Sequence, residues 1–325
     1  MTKRVDSTST GSVDRREFLK GAAAGAAGAA GAIVTGPASA QQAPANARPG
    51  VTRPTEADAR ADFVPPEPRA DARFIRHPGS DYMVDVLKAL DFDYVAVNPG
   101  SAFEGLHESL INHGGNRKPE ILTVLHEEAG AAMAHGYAKA AGKPMMTLMH
   151  GTVGLLHASM GLFQAWCDRV PVFAIVGHPR NPTSVVNRPH SAQDMGSIVR
   201  DFMKMDDEPT NIDVFANIAM RAYTIGRTPP MGPTLLVVDS ELQEAPIADR
   251  SKLTIPRLSM PSMPQGDSAA VKEAARLLAT AERPLIRTGK LGRTSAGWDL
   301  AIELAELLQA PVDVGGYGSW QDFPS

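Results

Sequence analysis

From Pro78 onward the chain alternates apolar runs of two different periods. Met83, Val86, Leu87 and Leu90 recur at helical spacing, and Ser80 or Asp81 just upstream is the residue type that caps such a helix. The short unbroken apolar run Tyr94-Val95-Ala96-Val97 then predicts a buried strand, closed by the turn Asn98-Pro99-Gly100-Ser101. The same reading predicts a helix over 103–112, a strand over 121–125 and a small-residue helix over 129–141. A strand over 145–149 follows, then a glycine-bearing turn at 151–154 into a helix over 155–166. A strand over 172–176, a proline-bearing loop, a helix over 214–227 and a strand over 234–238 complete the unit. Strands that are apolar without polar alternation, each followed by a helix, indicate an α/β fold: an open parallel sheet with helices on both faces.

Residues 251–266 carry Pro256, Pro261 and Pro264 and read as a linker between domains. Beyond it the pattern restarts, with helices over 268–280 and 298–308 and strands over 285–288 and 312–314. Two strands and two helices are few for an α/β domain, so this second unit reads as incomplete. The organisation expected is a folded domain over 78–250, the linker, and a partial second domain over 267–325.

The first forty residues follow other rules. Arg15-Arg16-Glu17-Phe18-Leu19-Lys20 precedes a stretch made almost wholly of Ala and Gly, and Ala38-Ser39-Ala40 ends it with small residues. A charged start, a weakly apolar centre and a small-residue end describe an export signal. The paired arginines resemble the twin-arginine class, with Asp14 standing where that motif usually has Ser or Thr, and this predicts a periplasmic protein. Residues 41–77, rich in Pro, Ala, Arg and Asp, read as a disordered tether. The net charge of -4, with no basic stripe, sets nucleic acid aside, and no run elsewhere has the roughly 20 apolar residues of a membrane span. The single cysteine, Cys167, excludes an intramolecular disulfide and reads as a packing residue.

In an open parallel sheet, ligands sit beyond the carboxyl ends of the strands. Three predicted strand ends carry polar groups there: Ser101, the pair His126-Glu127, and His150. Each also has a plain structural use. A glutamate at a helix start is a favourable dipole partner, and a histidine in a strand-to-helix turn can be a satisfied structural group.

The run from Leu125 to Pro144, His-Glu-Glu-Ala followed by Gly136-Tyr137-Ala138-Lys139-Ala140-Ala141-Gly142-Lys143-Pro144, resembles the glutamate helix of the acetolactate synthase and benzoylformate decarboxylase superfamily of thiamine-diphosphate enzymes. Asn98-Pro99-Gly100-Ser101 is similar to the first active-site loop of that family, and Gly232-Pro233-Thr234 to the strand that ends its pyrimidine-binding domain. The resemblance covers 79–239 and continues weakly into a partial middle domain. It implies that Glu127 is catalytic and cofactor-binding, bonding N1′ of the aminopyrimidine so that the imino tautomer can take the proton from thiazolium C2. Pro99 and Gly100 would line the cofactor. His150 would be a catalytic and substrate residue, and Ser101 would meet the carboxylate of a 2-oxo acid. His150 and Ser101 lean toward a decarboxylase or lyase, whereas acetolactate synthases have a Ser-Gly-Pro-Gly turn where His150-Gly151 stands. The turn 151–154 and His157, where the family commonly has Asn, depart from the pattern; Gln193 and Lys204 receive no role.

In that family a C-terminal domain with Gly-Asp-Gly and a later Asn holds the diphosphate and its Mg²⁺. Here Gly266-Asp267 is followed by Ser, no Asn follows Asn217, and no other phosphate loop occurs. The cofactor expected is thiamine diphosphate, held by its pyrimidine end only, with Mg²⁺ supplied by the missing domain; no metal ligands are assigned, and flavin is left open. The function expected is part of a 2-oxo-acid decarboxylase or carboligase that is truncated or split, with a second subunit or a missing C-terminal domain as partner in a homo-oligomer. An acetolactate synthase large-subunit-like protein and a non-catalytic interaction protein on the same fold are the alternatives.

Overall fold

A computed structural model describes residues 55–57, 75–178, 190–314 and 323–324. The chain divides into two compact units, Met1–Ala72 and Arg73–Ser325. The expected export signal and nearly all of the expected tether lie outside the described residues.

In the larger unit the first helix, α1, runs Gly79–Ala89, after Pro78 in extended backbone. Neither Ser80 nor Asp81 caps it, contrary to the expectation from sequence. Both side chains sit inside the first turn and are used for tertiary contact. Ser109 Oγ donates to Asp81 Oδ1 at 2.8 Å, which leaves Ser80 Oγ to donate to Ser109 Oγ at 2.7 Å. A buried hydroxyl needs such a partner, and the tertiary one displaces the local one.

Six parallel strands follow the order β2-β1-β3-β4-β6-β5. They are β1 Tyr94–Val97, β2 Glu120–Thr123, β3 Met146–Met149, β4 Phe173–His178, β5 Met205–Asp207 and β6 Thr234–Asp239. The connecting helices are α2 Glu104–Asn112, α3 Glu127–Ala141, α4 Thr152–Asp168, α5 Ile212–Arg227 and the short α6 Ser240–Glu244. One face of the sheet packs on α1, α2 and α5 through Met83, Leu87, Leu106, Phe215 and Tyr223. The other packs on α3 and α4 through Ala131, Ala134, Leu155, Ala158 and Leu162. The alanines and glycines of α3 now have a reason. A Cβ on Gly161 would lie 2.8 Å from Ala131 Cβ, so these two helices approach too closely for larger side chains.

Two elements were not foreseen. Strand β5 is three residues long and carries Asp206 and Asp207, so it has no apolar run to betray it. Helix α6 is one short turn capped by Asp239, whose side chain accepts from Glu241 N. Strand β2 ends at Thr123, not at residue 125, and Leu125 is 98% exposed. As an edge strand, β2 is paired on one side only, by β1.

Gly177 in β4 passes so close to the backbone at 102–103 that an added Cβ would meet Ala102 O at 2.4 Å. Gly177→Ala is therefore expected to cost about 2 kcal/mol or more, as overpacking against an immovable backbone does. A fall in the urea midpoint at unchanged slope would show it; an unchanged midpoint would mean that the strand can move.

Residues 253–267 carry no helix or strand and are at least partly exposed. The segment is tied to α1, whose Tyr82 hydroxyl donates to Thr254 O at 2.9 Å. Beyond it lie α7 Ser268–Thr280, β7 Ile286–Arg287, α8 Ser295–Leu308 and β8 Val312–Asp313, the two strands forming a parallel pair. Between β7 and α8, Lys290 Nζ donates to Cys167 O at 3.2 Å and Arg293 Nη2 to Arg169 O at 3.0 Å. Cations so placed complement the carbonyl end of α4. The Cys167 side chain is exposed, which corrects its reading as a packing residue.

Candidate active site

The carboxyl ends of β2, β1 and β3 are neighbours in the sheet, and the residues singled out from sequence lie just beyond them. After β1 the chain turns to the face covered by α2, and after β3 to the face covered by α4. Open α/β sheets take ligands in the crevice that such a divergence opens.

Glu127 opens α3, two residues before the helix was expected to start. The earlier start comes from His126, whose Nδ1 accepts from Glu128 N at 3.2 Å and caps the helix. Glu127 is 5% exposed, whereas Glu128, one residue on, is exposed. A carboxyl at a helix N-terminus gains from the dipole, but that benefit does not require burial. Space around it is reserved, because a Cβ on Gly154 of α4 would sit 3.0 Å from Glu127 Oε1. One neighbour is itself titratable: His157 Nδ1 lies 3.3 Å from Glu127 Oε2.

His150 follows β3. Its Nδ1 accepts from Gly151 N at 2.7 Å, so in the neutral ring Nε2 carries the proton. Burial holds its pKa below the ordinary histidine value, His190 pushes it further down, and Glu127 partly offsets both. His150 is thus a neutral donor at physiological pH. Gly100 lies against the same ring: a Cβ there would be 2.8 Å from His150 Cδ2, so only glycine fits. Pro99 is exposed, and Ser101, also exposed, opens the 3-10 turn Ser101–Phe103 that follows β1. The structure thus joins Gly100 to His150 and lets Glu127 act on His150 electrostatically. Lys204, given no role from sequence, donates to Ile225 O and Thr228 O and ties the end of α5 to the sheet.

His126, Glu127 and His157 are the residue types that hold metals, and their ligand atoms lie within 4.8 Å of one another. Their arrangement argues otherwise. The two imidazoles are stacked, with centroids 4.8 Å apart and planes inclined by 19°. An ion would have to lie about 2.0–2.1 Å from each ring nitrogen along its in-plane lone pair, and nearly parallel rings cannot both aim at one point. His126 Nδ1 is moreover engaged as the helix cap.

Sheet order and a buried carboxyl at a helix start mark these strand ends as the candidate ligand site. Residues 77–200 match the family model described as thiamine pyrophosphate enzyme, N-terminal TPP binding domain. That segment is thus similar to the N-terminal domain of the thiamine pyrophosphate enzymes. Among curated relatives, acetolactate synthase 3, chloroplastic, of Brassica napus is 26% identical over 272 residues, which is 79% of this chain and 38% of the relative. The acetolactate synthase large subunit of Lactococcus lactis subsp. lactis is 23% identical, over 72% of this chain and 40% of the relative. A solved structure of a putative thiamin diphosphate-dependent enzyme from Mycobacterium smegmatis superposes with a TM-score of 0.66 at 25% identity, covering 77% of this chain and 46% of that one. Benzoylformate decarboxylase from Polynucleobacter necessarius superposes with a TM-score of 0.67 at 24% identity, covering 77% and 45%, and shares the fold. The chain spans less than half the length of each of these relatives.

Proposed function

We propose that Glu127 receives the aminopyrimidine half of thiamine diphosphate, and that this chain is the pyrimidine-binding part of a 2-oxo-acid decarboxylase or carboligase. The observation that carries the reading is the 5%-exposed Glu127 carboxyl at the start of α3, against which Gly154 packs so closely that a Cβ there would lie 3.0 Å from Oε1. Glu127 would hold a proton at ring N1′, with Pro99 and Gly100 beside the cofactor. His150, a neutral donor through Nε2, and Ser101 would orient the substrate carboxylate. When bound, the cofactor supplies the electron sink for the 2-oxo acid, and these side chains place and tune it.

A condensing, acetolactate-synthase-like reaction is the second reading, supported by the names of the curated relatives. Product analysis with a single 2-oxo acid separates the two: an aldehyde alone supports decarboxylation, a branched hydroxy-oxo acid condensation.

The diphosphate and Mg²⁺ would be held by residues outside this sequence, on a further segment or a partner polypeptide. The exposed Leu125, Met133, Leu156, Met160 and Phe163, all on or beside α3 and α4, support a covering surface of that kind within an oligomer. Residues 78–250 then form the pyrimidine-binding domain, 251–266 a linker and 267–325 part of a middle domain. Calorimetry tests this directly. The 325-residue chain alone should show no tight, Mg²⁺-dependent binding of thiamine diphosphate, and a polypeptide bearing the diphosphate site should restore it. Tight binding by the chain alone would overturn the reading.

We also propose export to the periplasm by the twin-arginine route, from Arg15-Arg16 and the Ala/Gly stretch that follows. Cleavage is expected after Ala40, so mass spectrometry of the mature protein should find Gln41 at its N-terminus. Arg15→Lys with Arg16→Lys should hold the protein in the cytoplasm with its fold unchanged; export of that double variant would refute the assignment.

A further inference from the structure

Glu127 presents a problem that its burial creates. A carboxyl that must gain and lose a proton in each cycle, yet is 5% exposed, needs a route to water. The geometry points to His157 as that route: we propose that its imidazole relays protons between Glu127 and solvent. The relay rests on the reading of Glu127 given above.

Three observations meet here. His157 Nδ1 is within hydrogen-bond distance of Glu127 Oε2, at 3.3 Å. The His157 side chain is 55% exposed while its carboxyl partner is 5% exposed, so one group spans the step from interior to water. The ring is also held: His126 stacks on it at 4.8 Å and 19°, and His126 is fixed in turn by capping α3 through its Nδ1. An exposed histidine with no task would be free to rotate; this one is kept edge-on to the carboxyl.

The transfer balances without a further reagent. His157 passes its Nδ1 proton to Glu127 Oε2 while Nε2 takes one from water, and the reverse sequence returns a proton to water. The relay assigns the tautomers. With a carboxylate accepting at Nδ1, neutral His157 carries its proton on Nδ1. His126, whose Nδ1 accepts from Glu128 N, carries it on Nε2. The two stacked rings are therefore opposite tautomers.

The first test needs no cofactor. In the full chain labelled with ¹⁵N at histidine, the ring shifts should show His157 as the Nδ1–H form and His126 as the Nε2–H form. Glu127→Ala should convert His157 to the Nε2–H form that an unconstrained histidine favours, and leave His126 unchanged. An Nε2–H His157 in the unaltered chain would overturn the proposal.

The second test uses the cofactor-loaded protein with its diphosphate-bearing partner, following H/D exchange at thiazolium C2. His157→Ala is expected to slow exchange about 10²-fold, the lower end for a positioned acid–base group. Added imidazole should recover much of the loss in His157→Ala and none of it in Glu127→Gln. His157→Asn can keep a hydrogen bond but cannot relay, and should stay slow. Recovery by Asn instead of imidazole would reduce His157 to a positioning residue, and a wild-type rate in His157→Ala would end the idea. If Glu127→Gln also exchanges at the wild-type rate, the cofactor reading itself fails. If only His157→Ala does, the relay alone fails.

Discussion

Glu127→Gln is expected to slow H/D exchange at thiazolium C2 in the cofactor-loaded enzyme by about 10²–10⁴, the range that a positioned acid–base group supplies. The amide keeps the shape of the carboxyl but cannot pass a proton to a ring nitrogen. Because Glu127 is buried beside Gly154, the isosteric change leaves the contacts of α3 and α4 in place. Thermal unfolding should therefore move little. Glu128 is the internal control: it lies about 100° around the helix and is exposed, so Glu128→Gln should leave exchange within a few-fold of wild type. Equal effects from the two substitutions would mean that the helix start, not the Glu127 carboxyl, is what matters.

His150→Ala is expected to cut turnover by about 10²–10⁴, with cofactor affinity nearly unchanged. The ring stands at the end of β3 against Gly100, and its remaining proton sits on Nε2 because Nδ1 accepts from Gly151 N. Its depressed pKa, caused first by burial and then by His190, keeps it neutral, so it acts as a donor without adding charge to the crevice. Removal leaves Gly151 N without its acceptor, which predicts a stability cost of about 1 kcal/mol. A larger stability loss with turnover per folded molecule intact would make His150 a structural residue of the turn.

Much of the candidate site is legible in the sequence, because strand ends are marked by polar residues that break apolar runs. Ser101, His126-Glu127 and His150 each do so. The partner of Glu127 was not legible. His157 lies 30 positions away on another helix, and although it stands out where the resembling family commonly has Asn, nothing in the sequence pairs it with Glu127. Only the close packing of α3 on α4, which Gly161 and Ala131 permit, brings the two together. Likewise β5 escaped because three residues with two aspartates carry no period. It exists because the edge of β6 offers it a ladder, with Met205 opposite Thr234.

What the sequence by itself determined is the class of the fold: unbroken apolar strands alternating with helices admit a parallel sheet covered on both faces and little else. It also determined which side chains could do chemistry, since these interrupt the apolar pattern at strand ends. The tertiary structure decided which of them are buried, which pair, and where elements begin. Ser80 and Asp81 could have capped α1, but Ser109, 29 and 28 residues away, offered partners in the interior and won. His126 capped α3 and so moved its start back to Glu127, turning a residue that could have been a solvated dipole partner into a buried acid. The physical reason is common to both. Local signals specify which hydrogen bonds are possible, and burial, which no local window contains, sets the cost of leaving any of them unmade.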